Sequence, residues 1–154
     1  MILRKRIIYK SSQIGNIFVS LHSDWIKWTG YLHYTGPHSD IILLMPDLFD
    51  MLSHLLDDGR VHKEARQKVC QAIAYFITPF DLLPEEVYGV EGYIDQCYVA
   101  LYVLTNLQSQ LPDHVVDEAW EGEGTFKEIV SLLPELERQM LPENIQKVHR
   151  YLGL

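Results

Sequence analysis

The chain has 154 residues, of which 47% are apolar, 11% aromatic and 22% charged, with a formal net charge of −8. That length suits one domain able to bury about 68–70% of its unfolded surface, and the composition excludes a disordered chain. The acidic balance argues against a duplex-binding module, since neutralising phosphates requires a basic surface, and no nucleic-acid partner is expected.

Arg4, Lys5, Arg6 and Lys10 place four cations in the first ten residues. Ser11, Ser12, Gln13, Gly15 and Asn16 then interrupt the apolar run, so no secretory signal is expected. Short apolar runs at 6–10, 17–21 and 41–45 fit either short strands or helical pieces; helix is favoured over 4–20 and 39–45. The tripeptide His-Ser-Asp occurs at 22–24 and again at 38–40. Adjacent residues cannot adopt the geometry of a hydrolytic triad with one another, so both Ser-Asp steps read as helix N-caps. Between the copies Trp25, Trp28, Tyr31 and Tyr34 recur at every third residue. That spacing drifts around an α-helix, so the four rings cannot all face one core, and they mark a candidate partner surface.

From Leu48 the periodicity becomes helical. Leu48, Leu52, Leu55 and Leu56 share a face, Pro46 suits the first turn, and Asp57-Asp58-Gly59 ends the helix. Val61, Ala65, Val69, Ala72, Ile73 and Phe76 trace the next helix, with Lys63, Glu64, Arg66, Gln67 and Lys68 on its wet side. Thr78-Pro79 stops it, because a residue before proline is pushed out of the α region. A third helix, 94–107, is apolar on most faces and therefore expected at the centre. Prolines follow leucine at 84, 112, 134 and 142, each suited to a helix start. Thr125-Phe126-Lys127-Glu128 is a capping-box pattern. The last helix is expected from Pro142 to about Leu152, with Ile145, Val148 and Leu152 inward and Gly153 as terminator.

The sharpest local pattern runs from Ala72 to Gln96: a helix, a Pro-Phe-Asp turn, a proline-started half-turn, a glycine corner and a second helix. Asp81 precedes Leu82-Leu83-Pro84, where its carboxylate can accept from free N–H groups, and Asp95 falls in the first turn of the next helix, where the macrodipole favours its charge. Tyr75, Thr78, Pro79, Phe80, Asp81, Leu82, Leu83, Pro84 and Glu85, followed by Gly92, Tyr93, Ile94 and Asp95, resemble the motif of the YkvA-like "domain of unknown function 1232" family. The resemblance covers about 48–107, and within it Thr78, Pro79, Asp81, Pro84, Gly92 and Asp95 are the motif positions. Gln96 departs from the family's second aspartate. The resemblance implies a helical hairpin domain, often regarded as membrane-associated, and brings no catalytic activity. Asp81 and Asp95 remain weak candidates for a divalent-metal or acid/base pair; the loss of a hard ligand at Gln96 weakens that reading, and capping accounts for both positions.

Between Lys68 and Lys127 there is no Lys or Arg, whereas ten acids fall in the interval. Without the four N-terminal cations the chain keeps nine cations against twenty-one acids, a formal −12. A solvated rim explains such an interval, and a surface for a basic partner is the functional alternative. Cys70 and Cys97 are expected to be two small buried hydrophobes in a reducing compartment. His54, Asp58 and His62 would align three metal ligands on a continuous helix, but Gly59 breaks the span, and a solvated histidine pair at a helix junction fits better. No GxSxG, HExxH or phosphate-binding Gly-Lys loop is present. The two most apolar stretches, 72–84 and 93–107, are each shorter than the roughly 18–20 residues of a spanning helix and each contains an Asp.

Together these features predict an all-α, single-domain bundle over 1–154, with five to seven helices around a hairpin and a YkvA-like core at 48–107. The expected role is a non-enzymatic interaction or adaptor module, cytoplasmic, whose partner is another protein or, alternatively, a membrane surface reached peripherally through the apolar hairpin and the basic N-terminus. No cofactor is expected. The enzymatic alternative is a metal-assisted hydrolase using Asp81, Asp95 and nearby histidines.

Overall fold

The computed structural model describes residues 35–36, 38–77 and 93–154, all within one unit, 34–154. Eight helical segments lie among them and no strand does. These are α1 (Ser39–Ile42), α2 (Met45–Asp57), α3 (Lys63–Ile77), α4 (Ile94–Gln108), α5 (Asp113–Ala119), α6 (Phe126–Val130), α7 (Leu133–Gln139) and α8 (Pro142–Tyr151). Six have seven residues or more; α1 and α6 are single turns. Over the described residues the fold is all-α, as the periodicity predicts. The expectation of short strands or helix before residue 35 lies outside the described residues.

The centre is α4, whose residues from Ile94 to Leu101, together with Val103, Leu104 and Leu107, are buried. It packs against α1, α2, α3, α6, α7 and α8, so its first two turns have no wet face, and only Tyr102, Thr105, Asn106 and Gln108 toward its C-terminal end reach solvent. By contrast α2 is one-sided: Met45, Leu48, Phe49, Met51, Leu52 and Leu55 are buried, and Leu56 is half-buried at the edge of that stripe. In α3, Ala65, Val69, Ala72 and Ile73 are buried as the spacing predicts, with Tyr75 as an additional inward residue. Phe76 meets Phe49 edge to face, ring centroids 5.3 Å apart.

Helix ends follow local chemistry. Pro46, Pro134 and Pro142 occupy the first turns of α2, α7 and α8, where a missing N–H costs nothing. Pro112 instead precedes α5 as its N-cap. Thr125 and Glu128 form both bonds of the capping box: Glu128 N–H donates to Thr125 Oγ1 at 3.3 Å, and Thr125 N–H donates to Glu128 Oε2 at 2.7 Å. The latter bond holds the Glu128 carboxyl below its ordinary range. Gly153 has φ 77°, a left-handed turn that lets Leu154 N–H reach back to the His149 carbonyl at 2.9 Å and closes α8. At Gly122 a β-carbon would stand 2.2 Å from the Trp120 ring, so that corner requires glycine.

Three expectations are corrected. At 38–40 the N-cap is His38, whose φ of 59° turns the chain into α1 with no side-chain capping bond; Ser39 and Asp40 are therefore inside the helix. Cys70 is exposed rather than buried, because it follows Val69 by one position and so lies off the Ala65–Val69–Ala72 stripe. Arg66 and Lys68 are not merely solvated. Arg66 donates to the carbonyls of Leu56 and Asp58, satisfying the C-terminal end of α2, and to that of Val61 in the connection to α3; Lys68 donates to the Leu152 carbonyl at 2.7 Å, closing the end of α8.

Candidate functional site

The motif is described on both flanks: Tyr75 near the end of α3, and Tyr93 to Gln96 at the start of α4. Thr78, Pro79, Asp81, Pro84 and Gly92 lie outside the described residues, as do Trp25, Trp28, Tyr31 and Tyr34.

Asp95 is the second residue of α4 and is fully buried. Its Oδ1 accepts the backbone N–H of Gln96 at 2.8 Å, one of the N–H groups a helix start leaves without an intrahelical partner. Its Oδ2 accepts the phenol hydrogen of Tyr75 at 2.8 Å. Thus the carboxylate satisfies its own helix start, as the sequence suggests, and also ties α4 to α3, which the sequence does not reveal. Tyr75 is 4% exposed, so this bond is made in a water-poor setting where a charged acceptor is worth more than at a surface. Gln96, which replaces the second aspartate of the motif, is buried beside it.

Cys97, one turn position further, is buried with its thiol directed at the Ile41 carbonyl, 3.7 Å away. Burial pushes that thiol far above its ordinary range, and the neighbouring Asp95 charge adds to the effect.

Sequence reading missed a second polar group on α4. Tyr98 is completely buried, yet its hydroxyl donates to Glu137 Oε1 at 3.0 Å and stands 3.0 Å from His149 Nε2. A phenol has one hydrogen, so with that hydrogen on Glu137 the imidazole meets the oxygen as donor. Burial, followed by the bond to Glu137, pushes the phenol well above its ordinary range. Tyr102 lies against the same imidazole, ring centroids 4.8 Å apart. The one available signal was a hydroxyl in the most apolar stretch of the helix, Cys97 to Leu101; its partners are 39 and 51 residues away.

The histidines at the α2–α3 junction do not converge. His54 Nδ1 is 3.3 Å from the Ala119 carbonyl, whereas His62 Nδ1 accepts the N–H of Ala65 at 3.3 Å. Asp58, between them, is committed to Arg60, which also pairs with Glu118 of α5 at 2.6 Å. Arg60 holds the Asp58 carboxyl down at about 2. Among the described residues no three His, Cys, Asp or Glu side chains come together as a metal site. The acids of the cation-free interval divide: Asp95 is interior, whereas Asp113, Asp117, Glu118 and Glu123 are exposed. No helix of the described residues is long and apolar enough to cross a membrane.

Residues 68–102 match the model of the family described as "Protein of unknown function (DUF1232)". The matched interval spans α3 from Lys68 onward and the first part of α4, and so contains both Tyr75 and Asp95. The chain is also 30% identical over 117 residues to the "Uncharacterized protein ORF9" of Methanothermobacter thermautotrophicus, covering 76% of each chain. No solved structure matches.

Proposed function

The chain belongs to the DUF1232 family of proteins of unknown function, and on that premise we propose that it is a non-enzymatic helical adaptor, whose motif builds a scaffold and whose surfaces bind a protein partner. The observation that carries this reading is the use made of Asp95. Its carboxylate is buried and bonded to Tyr75 and to its own helix start, an arrangement that suits a structural tie.

Partner contact falls to the surfaces around that scaffold. The exposed acids Asp113, Asp117 and Glu123 suit a basic partner surface, and the aromatic run Trp25, Trp28, Tyr31 and Tyr34 supplies the residue types that anchor interfaces. The setting proposed is cytoplasmic, with any membrane contact peripheral and made through the basic first ten residues.

An affinity pulldown from the native host, comparing wild type with Trp25→Ala/Trp28→Ala, tests the reading. A protein recovered by wild type and lost from the double variant supports it. Recovery on anionic vesicles in flotation, with no protein captured, would replace it with a lipid-binding role. The enzymatic alternative makes its own demand: titration calorimetry with Mg²⁺, Mn²⁺, Ca²⁺ or Zn²⁺ must give heat that Asp81→Ala removes.

A further inference from the structure

The C-terminal helix is attached differently from the others. From α8 only Asn144 and Val148 are buried, joined by Leu152 just beyond it. Most of α4 is buried. What supplements this small apolar contact is a set of polar tethers from the core. Lys68 of α3 donates to the Leu152 carbonyl at 2.7 Å; Tyr151 donates to the Gln71 carbonyl at 2.9 Å and sets its ring edge against Tyr75, centroids 5.2 Å apart; His149 stands 3.0 Å from the Tyr98 hydroxyl. The connection from α7 is an extended pair, Met140 and Leu141, with ψ of 150° and 133°, so no helical hydrogen bonding runs continuously from α7 into α8.

From this arrangement we propose that α8 is a strap that opens as a unit of its own, more readily than the α2–α4 core, and that its opening bares the Tyr75 and Tyr98 faces of that core. Separate opening requires that it leave no polar group stranded in the interior, since that penalty would couple it to global unfolding. The two core tyrosines meet that condition. With α8 lifted away, Tyr75 still donates to Asp95 and Tyr98 still donates to Glu137. Lys68 and the Gln71 carbonyl pass to water, which serves both. Low apolar burial and tethers near the surface are the features of the low-stability end of a structure.

Native-state hydrogen exchange at low urea on the full chain tests this, with amides 145–152 compared against 97–107. Wild type is expected to exchange roughly tenfold or more faster in the first group, with weaker urea dependence. Lys68→Met and Tyr151→Phe keep the aliphatic stem and the ring while removing a tether each; both should speed exchange in 145–152 several-fold and leave 97–107 unchanged. Equal rates and equal urea dependence in the two groups would overturn the proposal. So would substitutions that speed both groups together, or that leave 145–152 untouched.

Discussion

Tyr75 donates its phenol hydrogen to Asp95 across the α3–α4 interface at 2.8 Å, joining residues 20 apart in the chain. The bond joins the two described flanks of the family motif, one on α3 and one on α4. Burial sets the value of the tie. A carboxylate in the interior is costly unless it is bonded, and removing the Tyr75 hydroxyl takes away one of the bonds that offset that cost. Together with the Tyr98 bond to Glu137, the arrangement gives the buried centre of α4 directional contacts that Val99 to Leu101 cannot supply.

The two thiols should behave oppositely. Cys70 is exposed on α3, whereas Cys97 is buried and its thiol is pushed far up by desolvation. Native labelling with a thiol reagent at pH 8 should modify Cys70 alone, leaving Cys97 unmodified until the protein is denatured. Peptide mapping by mass spectrometry checks the assignment; comparable native labelling at Cys97 would show that α4 is not the centre.

The Asp58–Arg60 pair gives a pH-dependent contribution of known sign. Arg60 lowers the Asp58 carboxyl from 3.8 to about 2 in the folded chain. A group lowered on folding stabilises where the unfolded chain is already ionised, so the contribution is complete above about pH 4 to 5 and is lost as pH falls toward 2. Its size is modest because the pair is solvent-exposed. Urea midpoints of wild type and Asp58→Asn should differ at pH 7, favouring wild type, and should converge near pH 2.

Thr125 closes the start of α6 by accepting the Glu128 N–H. Thr125→Ala should destabilise the fold by about 0.5–2 kcal/mol, whereas Thr125→Ser should cost less because the accepting oxygen is kept. Urea denaturation of the three proteins measures the difference.

Much of this fold is legible in the sequence because its helix ends are written in local chemistry. Asp57-Asp58-Gly59 ends α2, the Thr125–Glu128 box opens α6, and Gly153 closes α8 with a backbone angle that favours glycine. The buried centre is legible too, since α4 is apolar on most of its faces. The tertiary polar bonds are not. Tyr75 and Asp95 are both visible as motif residues, yet no spacing rule says that one hydrogen-bonds the other. Tyr98 is harder still, because its partners come from α7 and α8. Arg66 and Lys68 look solvated by periodicity alone; only the packing of α2 and α8 brings helix C-termini within reach of their heads. Cys70 shows the converse error, where an apolar neighbourhood in sequence stood in for a position one step off the buried face.

The most direct test of the structural role assigned to Asp95 is a double-mutant cycle in urea denaturation with Tyr75→Phe, Asp95→Asn and the pair together. Tyr75→Phe removes the donor while keeping the ring, whereas Asp95→Asn keeps the shape but replaces the charged acceptor with an amide, which also alters the bond to the Gln96 N–H; the double variant separates the shared part of the two losses. Tyr75→Phe and Asp95→Asn are each expected to destabilise, with the two coupled by about 1–3 kcal/mol, the range of a hydrogen bond to a charged group. Additive losses, with coupling under about 0.3 kcal/mol, would contradict that role: the carboxylate would not depend on Tyr75, and its burial would call for another purpose.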